Sequence, residues 1–437
     1  MPDLVVHSFD QRMTQQRFLA STAVLAATTV LVTGAVSTVS PSKSWAEPLQ
    51  PSPKQLVDKV WQVLDQNYVD SSFNRQDWKA VRQSYLGRSY SSKQQAYVAI
   101  QQMVAKLGDR YTEFIEPQAY TALNAEINGN LSGVGLQLAA DEKTKAITVV
   151  APIEKSPAAT AGILPGDVIT KINGRSTQGM TINEAVKQIK GAAGTPVVLT
   201  IRRGSQNLTF ALTRANIALS PVTYRTQMTD AGKIGYIRLP EFTRTAPTEM
   251  NRAIVALEQQ GVKGYVLDLR SDPGGLLDAS LKIASMWMSQ KPIVSLVDRQ
   301  AVRKQYATDG RALTDKPLVV LVDNGSASAS EILAGALQDN GRAILVGTRT
   351  FGKGLVQAVQ PLGDGSAIKL TIAKYYTPNG RDINSVGITP DFVVELTANQ
   401  KKTLAQKRQV ATPADPQYAK ALSSLSQLIQ ARTAVAN

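Results

Sequence analysis

Few side chains in this chain could carry out nucleophilic chemistry. It has no cysteine, and its single histidine, His7, lies close to the amino terminus. If that terminus is removed, the mature chain has neither a thiol nor an imidazole. A Ser-His-Asp triad, a cysteine protease and a zinc site built on His or Cys are then excluded. Catalysis would fall to Ser, Thr, Lys, Asp, Glu, Tyr or Arg, and the sequence implies no metal and no organic cofactor.

The segment GSASASEILAGALQDN (325–340) places Ser328 directly before an apolar run that predicts a helix. Ser328 and Glu331 match the S-x-x-E capping box, and such an N-cap is worth about 1 kcal/mol. The apolar strand LVVLVD (318–323) leads to the same serine at the amino end of the helix, where N–H groups and the helix dipole favour developing negative charge. The local residues alone favour a cap, and they leave the role of nucleophile open.

A serine nucleophile needs a base. Without histidine, the practical base near neutral pH is a lysine whose pKa is lowered by burial. Lys353, in RTFGKGLVQ (349–357), is the natural candidate because glycines flank it and apolar strands surround the segment.

The amino terminus has the pattern of a secretory signal peptide in residues 1–46. Arg12 and Arg17 give a basic start, residues 18–40 are apolar, and SWA (44–46) predicts cleavage after Ala46. The alternative is an uncleaved anchor, because the apolar run is near the minimum of about 18 residues that spans a bilayer. The leader predicts export, and the absence of cysteine agrees with it without defining a compartment.

The formal charge of +14 comes from scattered basic residues, apart from a modest cluster at 400–408. Aromatic residues do not alternate with them. The pattern favours a solvated basic surface or an anionic membrane neighbour, and it does not favour nucleic-acid binding.

Hydrophobic patterning divides the rest of the chain into four parts. Residues 47–128 read as a Pro-rich linker and a helical region, and residues 129–215 as a compact, mostly β module. Strands and helices alternate over 216–398, and 399–437 form a helical tail. The alternation predicts a layered α/β domain whose sites lie at the carboxyl ends of the strands.

The β module resembles a PDZ domain in the permuted arrangement found in secreted proteases. The similarity rests on SGVGLQL (132–138) and SPAATAGILPGDVITKING (156–174). The resemblance implies that a peptide's terminal carboxylate binds the N–H groups of Val134, Gly135 and Leu136. It also implies a groove along the module's helix, and ordinary core packing is the alternative for its four candidate lining residues, Ile182, Ala185, Val186 and Ile189.

The block 324–357 resembles the carboxyl-terminal processing proteases, also called tail-specific proteases, which use a Ser-Lys pair 25 positions apart. DRYT (109–112), DLRSDPGG (268–275) and YYTPNGRDINSVGITPD (375–391) extend the similarity. The resemblance implies a PDZ domain joined to a Clp-protease/crotonase-like α/β core. It makes Ser328 the nucleophile and Lys353 the general base.

The same resemblance assigns supporting roles. Gln357 would orient the lysine, and the N–H groups of Gly274 and Ala329 would form the oxyanion hole. The DLRSDPGG turn departs from the family's more usual Asn-rich loop, and we interpret Arg270 and Asp272 as charges that hold it. Asp339 follows Ser328 by 11 positions on one helix, about 16 Å at 1.5 Å per residue, so we expect it to be structural.

The family cleaves carboxyl-terminal tails of exported proteins. One branch trims the photosystem II reaction-centre precursor in the thylakoid lumen, and the leader and single PDZ domain favour that branch. This implies protein tails as partners, including a membrane protein at the lumenal or periplasmic surface. The alternatives are a general periplasmic tail-specific protease and a non-catalytic PDZ scaffold. The sequence leaves the oligomeric state open, as well as the choice between a PDZ domain that gates activity and one that only anchors substrate.

Overall fold

The structure is a computed structural model that describes residues 51–436 except 141–143, 145, 154–155, 165, 219–221, 398, 401–402 and 405–408. The predicted leader, with its cleavage site after Ala46, lies outside these residues, as does most of the basic cluster at 400–408. No helix within the described part of the chain has the length and apolarity to cross a bilayer.

The first described region is helical. Ser52 and Gln55 form a capping box at the start of α1, and Asp77 and Ser92 cap the next two helices. The stripe through Leu56, Val60 and Leu64 is buried, as the periodicity predicts. The elements are α1 (Pro53–Asn67), α2 (Trp78–Leu86), α3 (Lys93–Ala105), β1 (Glu113–Ile115) and α4 (Pro117–Ile127).

A mostly β unit follows. Its main sheet has the order β3-β4-β5-β7-β8, with β6 on β5, while β2 pairs with β9 as a separate ribbon. β3 is therefore an edge strand of the main sheet. The elements are β2 (Asn130–Gly133), β3 (Leu136–Ala140), β4 (Ile147–Pro152), α5 (Pro157–Thr160), β5 (Val168–Ile172), β6 (Arg175–Ser176), α6 (Ile182–Ile189), β7 (Pro196–Arg203), β8 (Gln206–Thr213) and β9 (Ala215–Ala218).

Strands and helices then alternate through the carboxyl-terminal half, as predicted. These elements are β10 (Thr223–Thr229), β11 (Gly232–Arg238), α7 (Ala246–Gln259), β12 (Tyr265–Asp268), α8 (Leu277–Trp287), β13 (Pro292–Asp298), β14 (Arg303–Ala307), β15 (Leu318–Val322), α9 (Ala329–Asp339), β16 (Ile344–Gly347), β17 (Leu355–Pro361), β18 (Ala367–Tyr376), β19 (Phe392–Val393) and α10 (Pro416–Ala436).

The central sheet of this half has the order β10-β11-β12-β15-β16-β19 and is parallel except for β10. Alternate residues of β15 point to opposite faces, as in any strand. Val320 contributes to the core that contains α7, α8 and α9, while Val319 and Leu321 pack with α10. All five residues of β15 are buried because helices cover both faces of the sheet.

A second sheet joins the helical region to this core. β18 pairs with β1, β13 and β17, and β14 lies beyond β13. Ile368 and Leu370 of β18 belong to the same apolar cluster as Leu56 and Ile100. The helical region is thus packed directly against the strands on which the later motifs lie.

Arg270 connects the central sheet to the carboxyl-terminal helix. Its side chain, 9% exposed, forms ion pairs of 2.7 and 2.8 Å with the carboxylates of Asp268 and Asp415. It also donates to Gln417 at the start of α10. This agrees with the interpretation of Arg270 as a holding charge.

Replacing Arg270 with methionine should lower the free energy of unfolding by about 3–5 kcal/mol, because two buried carboxylates lose their partner. Urea denaturation, monitored by tryptophan fluorescence, measures the change, since Trp287 is buried in the hydrophobic core of the α/β half. Arg432→Met is the matched control: its pair with Asp315 is exposed, so the loss should stay within about 1 kcal/mol. Equal losses in both variants would contradict the role of burial.

Candidate active site

Ser328 lies in the loop between β15 and α9, at the carboxyl edge of the central sheet. Its backbone has φ 55° and ψ −113°, a left-handed conformation that costs a non-glycine residue about 1–3 kcal/mol. Two buried groups hold it there: the Tyr375 hydroxyl donates to the Ser328 carbonyl at 3.1 Å, and the Ser328 N–H donates to Glu331 at 2.9 Å. The capping pattern alone predicts the N-cap position of Ser328, but it does not predict this strained backbone.

The Glu331 carboxylate joins the segment that carries Ser328 to the segment that carries Lys353. Its Oε2 accepts the N–H groups of both residues at 2.9 Å, so the two nitrogens lie within about 6 Å of each other. Its Oε1 accepts the Thr350 hydroxyl at 2.6 Å and the Gly352 N–H at 2.8 Å. Glu331 has no exposed surface, and these four donors replace the water that it loses.

Glycines on both sides of Lys353 allow its segment to pack tightly. A methyl group on Gly352, whose φ is +85°, would lie 2.8 Å from the backbone nitrogen of Gly387. One on Gly354 would lie 2.8 Å from the nitrogen of Asn384. The motif at 375–391 thus forms the support against which the lysine segment lies.

The amine of Lys353 is half-buried, and its Nζ lies 5.0 Å from the centre of the Tyr111 ring. Burial lowers its pKa, and the nearby positive charge of Lys369 lowers it further. The carboxylates of Asp109 and Glu331 act in the opposite direction without reversing the shift. The neutral amine is therefore more populated than in an exposed lysine.

The DRYT segment supports the lysine from another side. Asp109 accepts the hydroxyl protons of Thr112 at 2.7 Å and Thr371 at 2.6 Å. The Gln357 amide contacts the Thr371 hydroxyl at 3.5 Å. Gln357 therefore belongs to the polar chain that reaches Asp109, whereas Tyr111 of the same DRYT segment places its ring 5.0 Å from the Lys353 amine.

The turn after β12 lies against the Ser328 loop. The carbonyl of Asp272 accepts the Ala327 N–H at 2.9 Å and the Ser330 hydroxyl at 3.0 Å. Gly274, with φ +101°, approaches so closely that an added methyl group would lie 2.9 Å from Cβ of Ser328 and 2.8 Å from the Ala329 nitrogen. The structure therefore brings Gly274 and Ala329 together beside Ser328.

Asp339 lies at the far end of α9, where it accepts the Asn379 N–H at 2.9 Å and pairs with Arg381. It thus occupies the structural position expected from its distance along the helix.

In the β unit, Val134, Gly135 and Leu136 lead into the edge strand β3. Gly135 has φ +78°, and a methyl group there would lie 2.2 Å from Cβ of Ser156. Its carbonyl accepts the Ile153 N–H and the Ser156 hydroxyl, which fixes the turn.

The four candidate groove residues of α6 separate into two pairs by burial. Ala185 and Ile189 lie in the apolar core, at 0% and 5% exposure, so they follow the core-packing alternative. Ile182 and Val186 are only half-buried and remain available to line a groove.

Comparisons with known proteins agree with this architecture. Peptidase family S41 matches residues 233–394, and a PDZ domain matches residues 148–203. The carboxyl-terminal-processing protease of Synechocystis sp. is 43% identical over 376 residues, which cover 85% of this chain and 87% of that protein. The chain belongs to the carboxyl-terminal-processing proteases of peptidase family S41.

Two further relatives agree with this assignment. The chloroplastic carboxyl-terminal-processing peptidase 2 of Arabidopsis thaliana is 40% identical, over 76% of this chain and 67% of that protein. The solved structure of a photosystem II D1 C-terminal processing protease is 36% identical, with a TM-score of 0.54, over 79% of this chain and 94% of that one. The predictions of the family, of a serine-type protease, and of a PDZ domain with an α/β core are thus confirmed.

Two residues of the site were not predicted from the sequence. Glu331 was recognised only as a capping partner, although its burial makes it the common acceptor of both loops. Tyr111 lies more than 240 positions before Lys353, and DRYT appeared only as a motif without an assigned contact. An acidic residue inside an otherwise apolar helix stretch was the available signal for Glu331.

Replacing Glu331 with glutamine should lower kcat by about 10²-fold or more. Glutamine offers one acceptor oxygen in place of two, so two of the four donors would face an NH₂ group, and displacements near 1 Å have costs of that size. Peptide cleavage rates and thermal unfolding measure the effect.

Asp339→Asn is the matched control, because it removes a carboxylate from the other end of the same helix. It should cleave at close to the wild-type rate. A wild-type kcat in folded Glu331→Gln enzyme would refute the positioning role of this carboxylate.

Proposed function

We propose that the chain is a Ser-Lys endopeptidase that recognises the free carboxyl terminus of a protein tail with its PDZ domain. The observation that carries the proposal is the shared acceptor: the Ser328 and Lys353 N–H groups donate to one oxygen of Glu331. Burial of the Lys353 amine, which lowers its pKa, supports its role as the base.

The reaction follows from these groups. The neutral amine of Lys353 takes the hydroxyl proton of Ser328 as the oxygen attacks the peptide carbonyl carbon. The N–H groups of Gly274 and Ala329 stabilise the oxyanion. The lysine ammonium then gives its proton to the leaving amine as the C–N bond breaks, which leaves an acyl-enzyme. Water attacks the ester, Lys353 accepts its proton, and the new carboxyl terminus leaves as Ser328 recovers its hydrogen.

The PDZ domain would hold the tail by addition to the free edge of β3. An extended peptide can pair with this edge strand, and the N–H groups of Val134, Gly135 and Leu136 are then available for its terminal carboxylate. Ile182 and Val186 are the helix residues that remain exposed enough to contact the tail's side chains.

We further propose the carboxyl-terminal extension of the photosystem II reaction-centre precursor as the substrate, and the thylakoid lumen as the compartment. Support comes from the chloroplast relative and from the solved structure of a photosystem II D1 C-terminal processing protease. The general periplasmic tail-specific protease remains the second candidate, because the leader alone fits either compartment.

Ser328→Ala and Lys353→Ala should each reduce cleavage of a tail peptide by at least about 10³-fold, since the nucleophile and its base act as one unit. Both variants should still bind the peptide. The pH profile of wild-type kcat should contain an ascending limb as Lys353 loses its proton, with a midpoint below the ordinary lysine value of 10.5.

A fluorogenic peptide assay across the pH range and a binding titration check these outcomes. Equal cleavage by all three proteins would exclude the Ser-Lys assignment. Absence of cleavage by the wild type, with intact tail binding, would favour the non-catalytic PDZ scaffold.

The substrate proposal predicts faster cleavage of a peptide with the reaction-centre precursor's tail than of an unrelated apolar tail of the same length. Amidating its carboxyl terminus should raise KM by about tenfold to a hundredfold, because a charge-assisted hydrogen bond contributes about 1.5–3 kcal/mol. Mass spectrometry of the products locates the new carboxyl terminus. Equal kcat/KM for both tails would favour the general protease, and no effect of amidation would refute capture of the carboxylate.

A further inference from the structure

The Gly274 N–H is already engaged. It donates to Oδ1 of Asp272 at 2.8 Å, although the proposed mechanism requires this N–H for the oxyanion. A single N–H proton makes one strong hydrogen bond, so a donor directed at Asp272 is poorly directed at a second acceptor. The DLRSDPGG loop therefore contains an internal competitor for its own oxyanion donor.

The second oxygen of Asp272 is unusual. Oδ2 is buried and has no hydrogen-bond partner within the described residues, and Asp272 as a whole has no exposed surface. Its neighbours hold the backbone: Ala327 and Ser330 both donate to the Asp272 carbonyl and leave the carboxyl oxygen unpaired. A buried, unpaired carboxylate oxygen beside a developing oxyanion would also repel it, because low polarity leaves the repulsion unscreened.

We propose that Asp272 is a positioning residue that controls the oxyanion hole. In its ionised form it holds the Gly274 N–H and disfavours the transition state, and in its protonated form it releases this donor to the substrate. The inference rests on the proposed Ser-Lys function and adds a pH-dependent control to it.

The charges around Asp272 are consistent with such a control. Burial raises its pKa to about 8. Three neighbouring groups act in the opposite direction: the Gly274 N–H, the positive charge of Arg238, and the Ser330 hydroxyl, which lies near the carboxyl group although it donates to the backbone carbonyl. The Glu241 carboxylate raises the pKa further. The protonated acid is a weaker acceptor than the carboxylate, so the hold on Gly274 loosens below about pH 8 and tightens above it.

The test is the pH profile of kcat for cleavage of a tail peptide by the full-length enzyme. Wild-type kcat should combine an ascending limb, as Lys353 loses its proton, with a descending limb, as Asp272 ionises near pH 8. Asp272→Asn keeps the shape of the side chain and is always neutral. It should lack the descending limb and exceed the wild type by about tenfold or more near pH 9.5, with little change in KM.

Asp323→Asn is the matched control. The Asp323 carboxylate accepts the Ser271 and Gly325 N–H groups, so this variant makes the same chemical change on the neighbouring Ser328 loop, where it contacts the turn that carries Asp272. It should keep the descending limb. A peptide boronate, which forms a tetrahedral adduct with the serine, gives a second readout: near pH 9.5 it should bind Asp272→Asn more tightly than wild type, and near pH 6.5 about equally.

A stability measurement checks the titration without relying on activity. Between about pH 4 and pH 8 the folded protein keeps the Asp272 proton that the unfolded chain has released, so wild-type stability should fall with pH relative to Asp272→Asn. Thermal unfolding of both proteins across this range measures the difference.

Three results would overturn the inference. These are an unchanged descending limb in Asp272→Asn, its loss in Asp323→Asn as well, and a folded Asp272→Asn enzyme that is inactive at every pH. Each can be distinguished from failure of the proposed function. That function fails if Ser328→Ala and Lys353→Ala retain activity, whereas the present inference alone fails if those variants are inactive and one of the three results is obtained.

Discussion

The site depends on one buried carboxylate. Glu331 lies on the first turn of α9 and accepts four hydrogen bonds from the two loops that carry Ser328 and Lys353, which α9 and β16 separate in sequence. A buried charge without partners would cost several kcal/mol, so the fold can hold this residue only if both loops present their donors. In turn, Glu331 fixes the loops that carry Ser328 and Lys353 relative to each other, because both loops donate hydrogen bonds to its carboxylate.

Close packing around Ser328 holds its strained backbone in place. A positive φ is unfavourable for a serine in isolation. It persists at Ser328 because the Tyr375 hydroxyl donates to the Ser328 carbonyl and the Ser328 N–H donates to Glu331. Glycines at 274 and 352 allow neighbouring backbones to approach closer than any side chain would permit. The strain, the glycines and the buried acid are thus parts of one arrangement at the carboxyl edge of the parallel sheet.

The remaining motifs act mainly as supports for this arrangement. DRYT places Tyr111 against the amine of Lys353 and links Asp109 to Thr371 on β18. The motif at 375–391 backs the lysine segment, and Arg270 ties the turn after β12 to α10. The helical region near the amino terminus therefore contributes to the site through β18, although hundreds of residues separate it from the serine in sequence.

Residue types and local periodicity, which can be read along the chain, were enough to predict the α/β alternation and the candidate pair of Ser328 and Lys353. The family and the PDZ module were predicted from the resemblance of the chain's motifs to those of known proteins. The tertiary structure decided what depends on burial and on long-range contact. It made Glu331 the common acceptor, moved Ala185 and Ile189 into the core, and directed the Gly274 N–H to Asp272. A linear pattern predicts which residues can form hydrogen bonds, but only packing determines which donor reaches which acceptor and which carboxylate is removed from water.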